Sequence, residues 1–255
     1  MDTKGILYGV GVGPGDPELL TLKALKTITR CAVLAFPAPA ESGGKAAAYE
    51  IALAALGPRT GGAEKEALAL RLPMTKDADV MRESQREAAA RIMEILESRR
   101  DVAFLTLGDP SIYSTYSYLH RLVGEKGYRT SIVPGVPSFC AAAALLGEDL
   151  VNGEQILHVI PASYRDTGAA LDLAGVKVLM KTGAALPKVK RLLMERMKGT
   201  EGAEKAGGTL RARAVENCGM EGERVWNTLA DMDERSPPGY FTIIIAKDTE
   251  EREAL

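Results

Sequence analysis

A chain of 255 residues, 46% hydrophobic and 26% charged, has the composition of a soluble globular protein and is long enough for one large core or two ordinary ones. Its 32 basic and 34 acidic side chains leave a net charge of -2, which excludes the electrostatic footprint of a nucleic-acid-binding protein. Cys31, Cys140 and Cys218 stand apart, with no C-x-x-C, and read as buried free thiols; His120 and His158 are too few to build a metal centre without acids from elsewhere, so no metal is expected.

Taken in chain order, the first half alternates between apolar runs and helix-spaced segments. A strand in ILYGVGV leads into a helix from about Pro17, then a strand in AVLAFP and a helix in KAAAYEIALAAL. A polar stretch with ALALRLP precedes a long helix from about Asp77 to Ser98, a strand in DVAFLTLG, a helix from about Ser114 and a strand in RTSIVPG. This alternation predicts a mostly parallel sheet with helices packed on it. Turn chemistry in VPGVPSF places a boundary near Gly135, giving an N-terminal α/β domain over residues 1–134 and a C-terminal one over 135–255. In the second part the helices SFCAAAALLG and LPKVKRLLMERM accompany four strand-like runs, QILHVIPA, VKVLMKTG, LRARAVENCG and YFTIIIAKD, so a more mixed sheet is expected. The charged, glycine-rich stretch 198–208 has no assigned role. The start, MDTKGILYGVGVG, lacks a basic leader before a signal-length apolar core, and FCAAAALL is too short to span a bilayer, so no membrane partner and a cytoplasmic location are expected.

The first strand ends in GVGPGDP, a turn with the look of a phosphate cradle. A P-loop would need a lysine and a hydroxyl directly after its last glycine, and no Gly-Lys-Ser or Gly-Lys-Thr occurs. A dinucleotide fingerprint fails in both registers, because its third glycine falls on Pro14 or Asp16. What remains is a turn whose glycines let a ligand approach the backbone while Pro14 stiffens it. LTLGDPSIYST is a second strand end of this kind, with Asp109 either at a ligand or serving as a helix cap. Met180-Lys181 and Asn217-Cys218-Gly219 close two later strands in unusual residues. No nucleophile elbow and no H-E-x-x-H is present. Pocket-building turns with little proton-transfer machinery suit an enzyme whose reactive group arrives on a cofactor.

YGVGVGPGDPELLTLKAL, LTLGDPSIYSTYSYL, VPGVPSFCAAAA and ENCGMEGERV, in that order along nearly the whole chain, resemble the tetrapyrrole methylases, the class III S-adenosylmethionine-dependent methyltransferases. Within the family the first two segments are most similar to the branch that methylates C-20 of precorrin-2 or its cobalt-containing counterpart. The resemblance implies two α/β domains with a cofactor cleft between them, a homodimer, S-adenosylmethionine as cofactor and a tetrapyrrole as substrate. It assigns cofactor contacts to Pro14, Leu107, Gly108, Asp109, Ile112, Pro137, Ser138, Met180 and Cys218. Sirohaem-type relatives carry Thr-Ala and a small residue where this chain has Pro137-Ser138 and Cys218, so contacts there are expected through the backbone. The carboxylate of Asp109 is expected either to fix the cofactor's ammonium group or to order the turn that does so. No catalytic base is assigned. Asp16, Tyr113, Arg82 and Arg86 are substrate candidates, and Lys76, Arg211 and Arg213 are further cations for a substrate with many carboxylates. A methylase acting at another ring carbon, or a non-catalytic tetrapyrrole or nucleotide-binding module, remain as alternatives.

Overall fold

The computed structural model describes residues 4–38, 46–57, 65–73, 75, 77–197, 209–233 and 239–249. The chain divides into two compact units, Met1–Ser138 and Phe139–Leu255. In the first, five short strands, β1 (Ile6–Gly11), β2 (Val33–Pro37), β3 (Glu66–Leu70), β4 (Val102–Thr106) and β5 (Arg129–Val133), lie in the order β3-β2-β4-β1-β5. Every pairing is parallel. Parallel neighbours cannot be joined by hairpins, so each connection crosses over through a helix. These are α1 (Leu22–Arg30), α2 (Ala47–Leu56), α3 (Ala78–Glu97) and α4 (Tyr116–Glu125).

Because helices cover both faces, the central strands are apolar without alternation. Leu7, Val33, Val102 and Phe104 face Ile92 and Leu96 of α3 and Leu119 of α4. Val10, Leu34, Ala103 and Leu105 pack on the opposite face with Ile28 of α1 and Ile51 of α2. Each fully buried aliphatic or aromatic side chain contributes roughly 1.5 to 3 kcal/mol. Two boundaries differ from expectation. Pro17–Leu19 is a single 3-10 turn capped by Asp16, and α1 begins only after Thr21, whose hydroxyl accepts from Ala24 N at 3.1 Å. The stretch with ALALRLP holds an edge strand, β3, in which only Leu68 and Leu70 are buried, too brief a pattern to stand out.

The second unit begins within α5 (Ser138–Leu145) and continues through β6 (Leu157–Pro161), α6 (Thr167–Leu171), β7 (Val176–Met180), α7 (Leu186–Met197), β8 (Thr209–Glu216), β9 (Arg224–Trp226) and β10 (Thr242–Thr249). Its sheet has the order β6-β7-β10-β8-β9 and is mixed: β6 and β7 run parallel, and the remaining pairings are antiparallel. Leu179, Ala212, Ala214, Ile244 and Ala246 face Val189 and Leu193 of α7 and Leu171 of α6. The indole of Trp226 packs at the margin of this cluster, with the Arg224 guanidinium 5.0 Å above its ring. Cys31 and Cys218 are buried, but Cys140 is exposed, correcting the expectation for that thiol. It occupies the outward side of α5, whose Ala141, Ala142 and Ala143 turn inward.

Candidate functional site

Three strand ends of the parallel sheet are fastened together through their backbones. Val12 N donates to Thr106 O at 3.0 Å, and Gly108 N donates to Gly13 O at 2.8 Å, so the turns after β1 and β4 run side by side. The turn after β5 closes on both. A Cβ built on Gly135 would lie 2.2 Å from Gly108 O and 2.8 Å from Gly11 Cα, and one on Gly11 would lie 2.5 Å from Gly108 O. Only glycine permits three backbones to approach this closely. Gly108 differs in kind. Its φ is +67, and a Cβ there would meet nothing nearer than Ser138 N at 3.7 Å. Its bare α-carbon thus faces the 136–138 turn without being crowded by it.

Asp109, 9% exposed, joins these turns with its side chain. Oδ1 accepts from Ser111 N at 2.8 Å and from the Ser111 hydroxyl, while Oδ2 accepts from Gly135 N at 3.0 Å. Both oxygens are engaged by the protein, the arrangement of a carboxylate that orders a turn. It does not cap α4: the first residue of that helix, Tyr116, donates its N–H to Ser114 Oγ at 3.1 Å, and Ser114 Oγ also lies 3.0 Å from Thr106 Oγ1. Pro14 is buried in the first turn, Leu107 and Ile112 are half-buried in the second, and Pro137 and Ser138 are half-buried where α5 begins. The seven expected positions of the first unit therefore lie on the three turns at one edge of its sheet.

In the second unit, Met180 ends β7 and Cys218 follows β8, with β10 between the two strands. Met180 O accepts from Ala162 N at 2.7 Å. Burial pushes the Cys218 thiol up to about 11, with nearby Glu223 adding to the effect. Both strands stop in a non-glycine residue of positive φ, Lys181 at +57 and Asn217 at +51. Burial holds the ammonium of half-buried Lys181 below the usual lysine range. Tyr240 and Phe241 stand at the same edge as a perpendicular ring pair, centroids 5.4 Å apart, and Phe241 O accepts from Asn217 N. This pair carried no signal in the sequence, since YF before an apolar strand reads as part of the strand.

The remaining candidates scatter. Asp16 Oδ1 accepts from Glu18 N, as the cap of its 3-10 turn. Tyr113 is 45% exposed at φ +48 in the turn after β4. Arg82 and Arg86 pair with Asp79 and Glu83 on the exposed side of α3. Arg211 and Arg213 gather with Lys247 around Glu148, which is largely buried. Lys76 and the 198–208 stretch lie outside the described residues. Among the described residues no group of three or more His, Cys, Asp and Glu could hold a metal ion, and no helix is long and apolar enough to cross a membrane.

The fold is thus two α/β units, one built on a parallel and one on a mixed sheet, the first with interlocked glycine turns at its strand ends. The family model for Tetrapyrrole (Corrin/Porphyrin) Methylases matches residues 6–233, and the chain belongs to that family, whose members use S-adenosylmethionine. Cobalt-precorrin-2 C(20)-methyltransferase of Salmonella typhimurium is 31% identical over 96% of this chain and 98% of its own length. Cobalamin biosynthesis protein CobIJ of Mycobacterium tuberculosis is 34% identical over 95% of this chain but 46% of its own, so the chain spans about half the length of that relative. Uroporphyrin-III C-methyl transferase from Thermus thermophilus, solved in complex with S-adenosyl homocysteine, shares the fold, with a TM-score of 0.66 at 20% identity over 95% of this chain and 97% of that one.

Proposed function

We propose that this protein transfers a methyl group from S-adenosylmethionine to the C-20 meso carbon of precorrin-2, metal-free or cobalt-loaded, in cobalamin synthesis, and that it works as a cytoplasmic homodimer. The observation that carries this reading is the likeness to the Salmonella enzyme over almost the full length of both chains. The turns of the first unit support the reading: Gly108 offers an approachable backbone beside Asp109, Ile112, Pro137 and Ser138, with Pro14 and Leu107 on the same turns, while Met180 and Cys218, at strand ends of the second unit, are the other positions that the resemblance assigns to the cofactor.

When bound, the cofactor supplies a methyl group made electrophilic by its sulfonium. A reduced tetrapyrrole offers an enamine-like carbon, so the protein has mainly to align the two and exclude water. The interlocked glycine turns meet that need, because a backbone clamped by mutual contact does not reorganise as the methyl moves. Asp109 serves this by holding Gly135, and Ser114 by holding Thr106 and the first residue of α4.

The test is transfer of labelled methyl from S-adenosylmethionine to metal-free and cobalt-loaded precorrin-2, with NMR of the product to locate the new carbon. Methylation at C-20 supports the reading, and the preferred form of substrate tells which branch of the pathway it serves. Methylation at another ring carbon overturns the regiochemistry while keeping the class, and binding of the tetrapyrrole without transfer turns the enzyme into a binding module.

A further inference from the structure

One peptide group at the glycine-bearing edge is gripped at both ends by side chains. The carbonyl of Pro134 accepts from the Thr21 hydroxyl at 3.2 Å, and the N–H of the next residue, Gly135, donates to Asp109 Oδ2 at 3.0 Å. These are the two polar ends of a single planar unit. Asp109 belongs to the turn after β4, and Thr21 closes the segment that runs from β1 to α1. The peptide that leaves β5 is therefore fastened to the connections that leave both of its neighbours in the turn cluster.

Left to itself, a Pro-Gly step does not decide how this peptide lies. Proline fixes its own φ but not the orientation of the peptide that follows it, and glycine accepts φ of either sign, so the pair serves turns of types I and II alike. Gly135 keeps a φ outside the left-handed region, so one of the two orientations is realised. Turning the peptide over would break both hydrogen bonds at once. Beyond Gly135 the chain runs directly into Val136, Pro137 and Ser138, which are the residues nearest to where a Cβ on Gly108 would stand: Ser138 N at 3.7 Å, and Pro137 Cα and Val136 O at 3.9 Å.

Thr21 uses its hydroxyl in two directions. The oxygen accepts from Ala24 N at 3.1 Å, which caps α1, and the proton goes to Pro134 O. A cap needs only an acceptor, and aspartate supplies one at least as well as threonine. The bond to Pro134 needs a donor, which aspartate lacks at neutral pH. Capping alone therefore leaves the second bond unexplained.

We propose that Thr21 is a positioning residue for the cofactor: its hydroxyl sets the orientation of the 134–135 peptide and thereby holds the 136–138 turn in the form that binds S-adenosylmethionine. This rests on the reading under Proposed function, in which Pro137 and Ser138 contact the cofactor. Thr21 acts through the peptide and not by touching the ligand.

The experiment compares wild type with Thr21→Asp, which keeps the cap and loses the donor, and Thr21→Ser, which keeps both, reading the urea midpoint and the dissociation constant for S-adenosylhomocysteine. The Asp variant should unfold at a midpoint close to wild type, because α1 remains capped. Its affinity should nevertheless fall about fivefold or more, the net worth of one hydrogen bond, with a carboxylate now facing the Pro134 carbonyl. The Ser variant should match wild type in midpoint and bind within about twofold of it. An Asp variant that binds as wild type overturns the proposal and leaves Thr21 a helix cap. An Asp variant that does not fold, or loses stability in step with affinity, overturns it in favour of a role in the fold, and a Ser variant as weak as Asp overturns it in favour of the threonine methyl. Wild type that binds no S-adenosylhomocysteine overturns the parent reading together with this one, whereas a binding wild type with an unaltered Asp variant removes this inference alone.

Discussion

The two units end their strands by opposite means. At the edge of the parallel sheet, Gly11, Gly108 and Gly135 bring three backbones into contact, and one carboxylate, Asp109, binds two of the turns. At the edge of the mixed sheet, β7 and β8 stop in Lys181 and Asn217, and the margin is lined with side chains, Cys218, Tyr240 and Phe241. The first is a single interlocked object, in which a Cβ added at Gly11 or Gly135 strikes a neighbour's main chain. The second is a row of separate side chains, in which a change should stay local.

The largest break in that contrast should come from Gly135→Ala. Its Cβ would lie 2.2 Å from Gly108 O, a main-chain atom that cannot swing away, and overpacking of this kind costs about 3 kcal/mol or prevents folding. A urea titration with an unchanged midpoint would show that the three turns are not interlocked. Asp109→Ala comes next. It leaves the donors of Ser111 and Gly135 without their acceptor, and the expected loss is about 1 to 3 kcal/mol of stability. Calorimetry on the same variant sharpens the result: a carboxylate that only orders the turn leaves some cofactor affinity, whereas a loss of affinity far beyond the loss of stability would give it a direct role.

Gly108→Ala should be milder for the fold, because the space is there and only the left-handed strain, about 1 kcal/mol, is added. Affinity for S-adenosylhomocysteine should nevertheless fall about tenfold or more, and an alanine variant that binds as wild type would remove Gly108 from the cofactor. The smallest effect belongs to the other edge. Cys218 holds its proton up to about 11 in the folded state against 9.0 for the exposed thiol. Its contribution is whole below pH 9 and is lost as the pH rises towards 11, since the unfolded chain then releases a proton that the folded one keeps. The difference in urea midpoint between wild type and Cys218→Ala should shrink over that window, and a constant difference would place the thiol in water.

How far these features were legible depends on whether they are local. The crossover alternation predicts the parallel sheet, because period and length are written into each segment. GVGPGDP and LGDPSIYST advertise their turns through glycine and proline. Gly135 looked like a boundary residue instead, because its partners, Gly11 and Gly108, are distant in sequence and meet only through strand order. The edge strands β3 and β9 were missed because five and three residues carry too little pattern. The backbone conformations of Tyr113, Lys181 and Asn217 leave no trace in residue type except at Asn217. Arg211 and Arg213 read as candidate cations for the substrate, and their pairing with Glu148, 63 residues before Arg211, is a contact that spacing does not reveal.

Trp226 is the chain's single tryptophan, and it belongs to the second unit, packed at the margin of that unit's core beneath a guanidinium. The molecule therefore carries its one indole in the second half, while its tyrosines are spread over both. Emission from that indole, excited selectively over tyrosine, reports on the packing around β9 of the mixed sheet, while far-ultraviolet dichroism, dominated by backbone, follows both halves at once. Recording the two signals along one denaturation series would resolve whether the halves come apart in a single event or in succession, with no dye attached and no residue replaced.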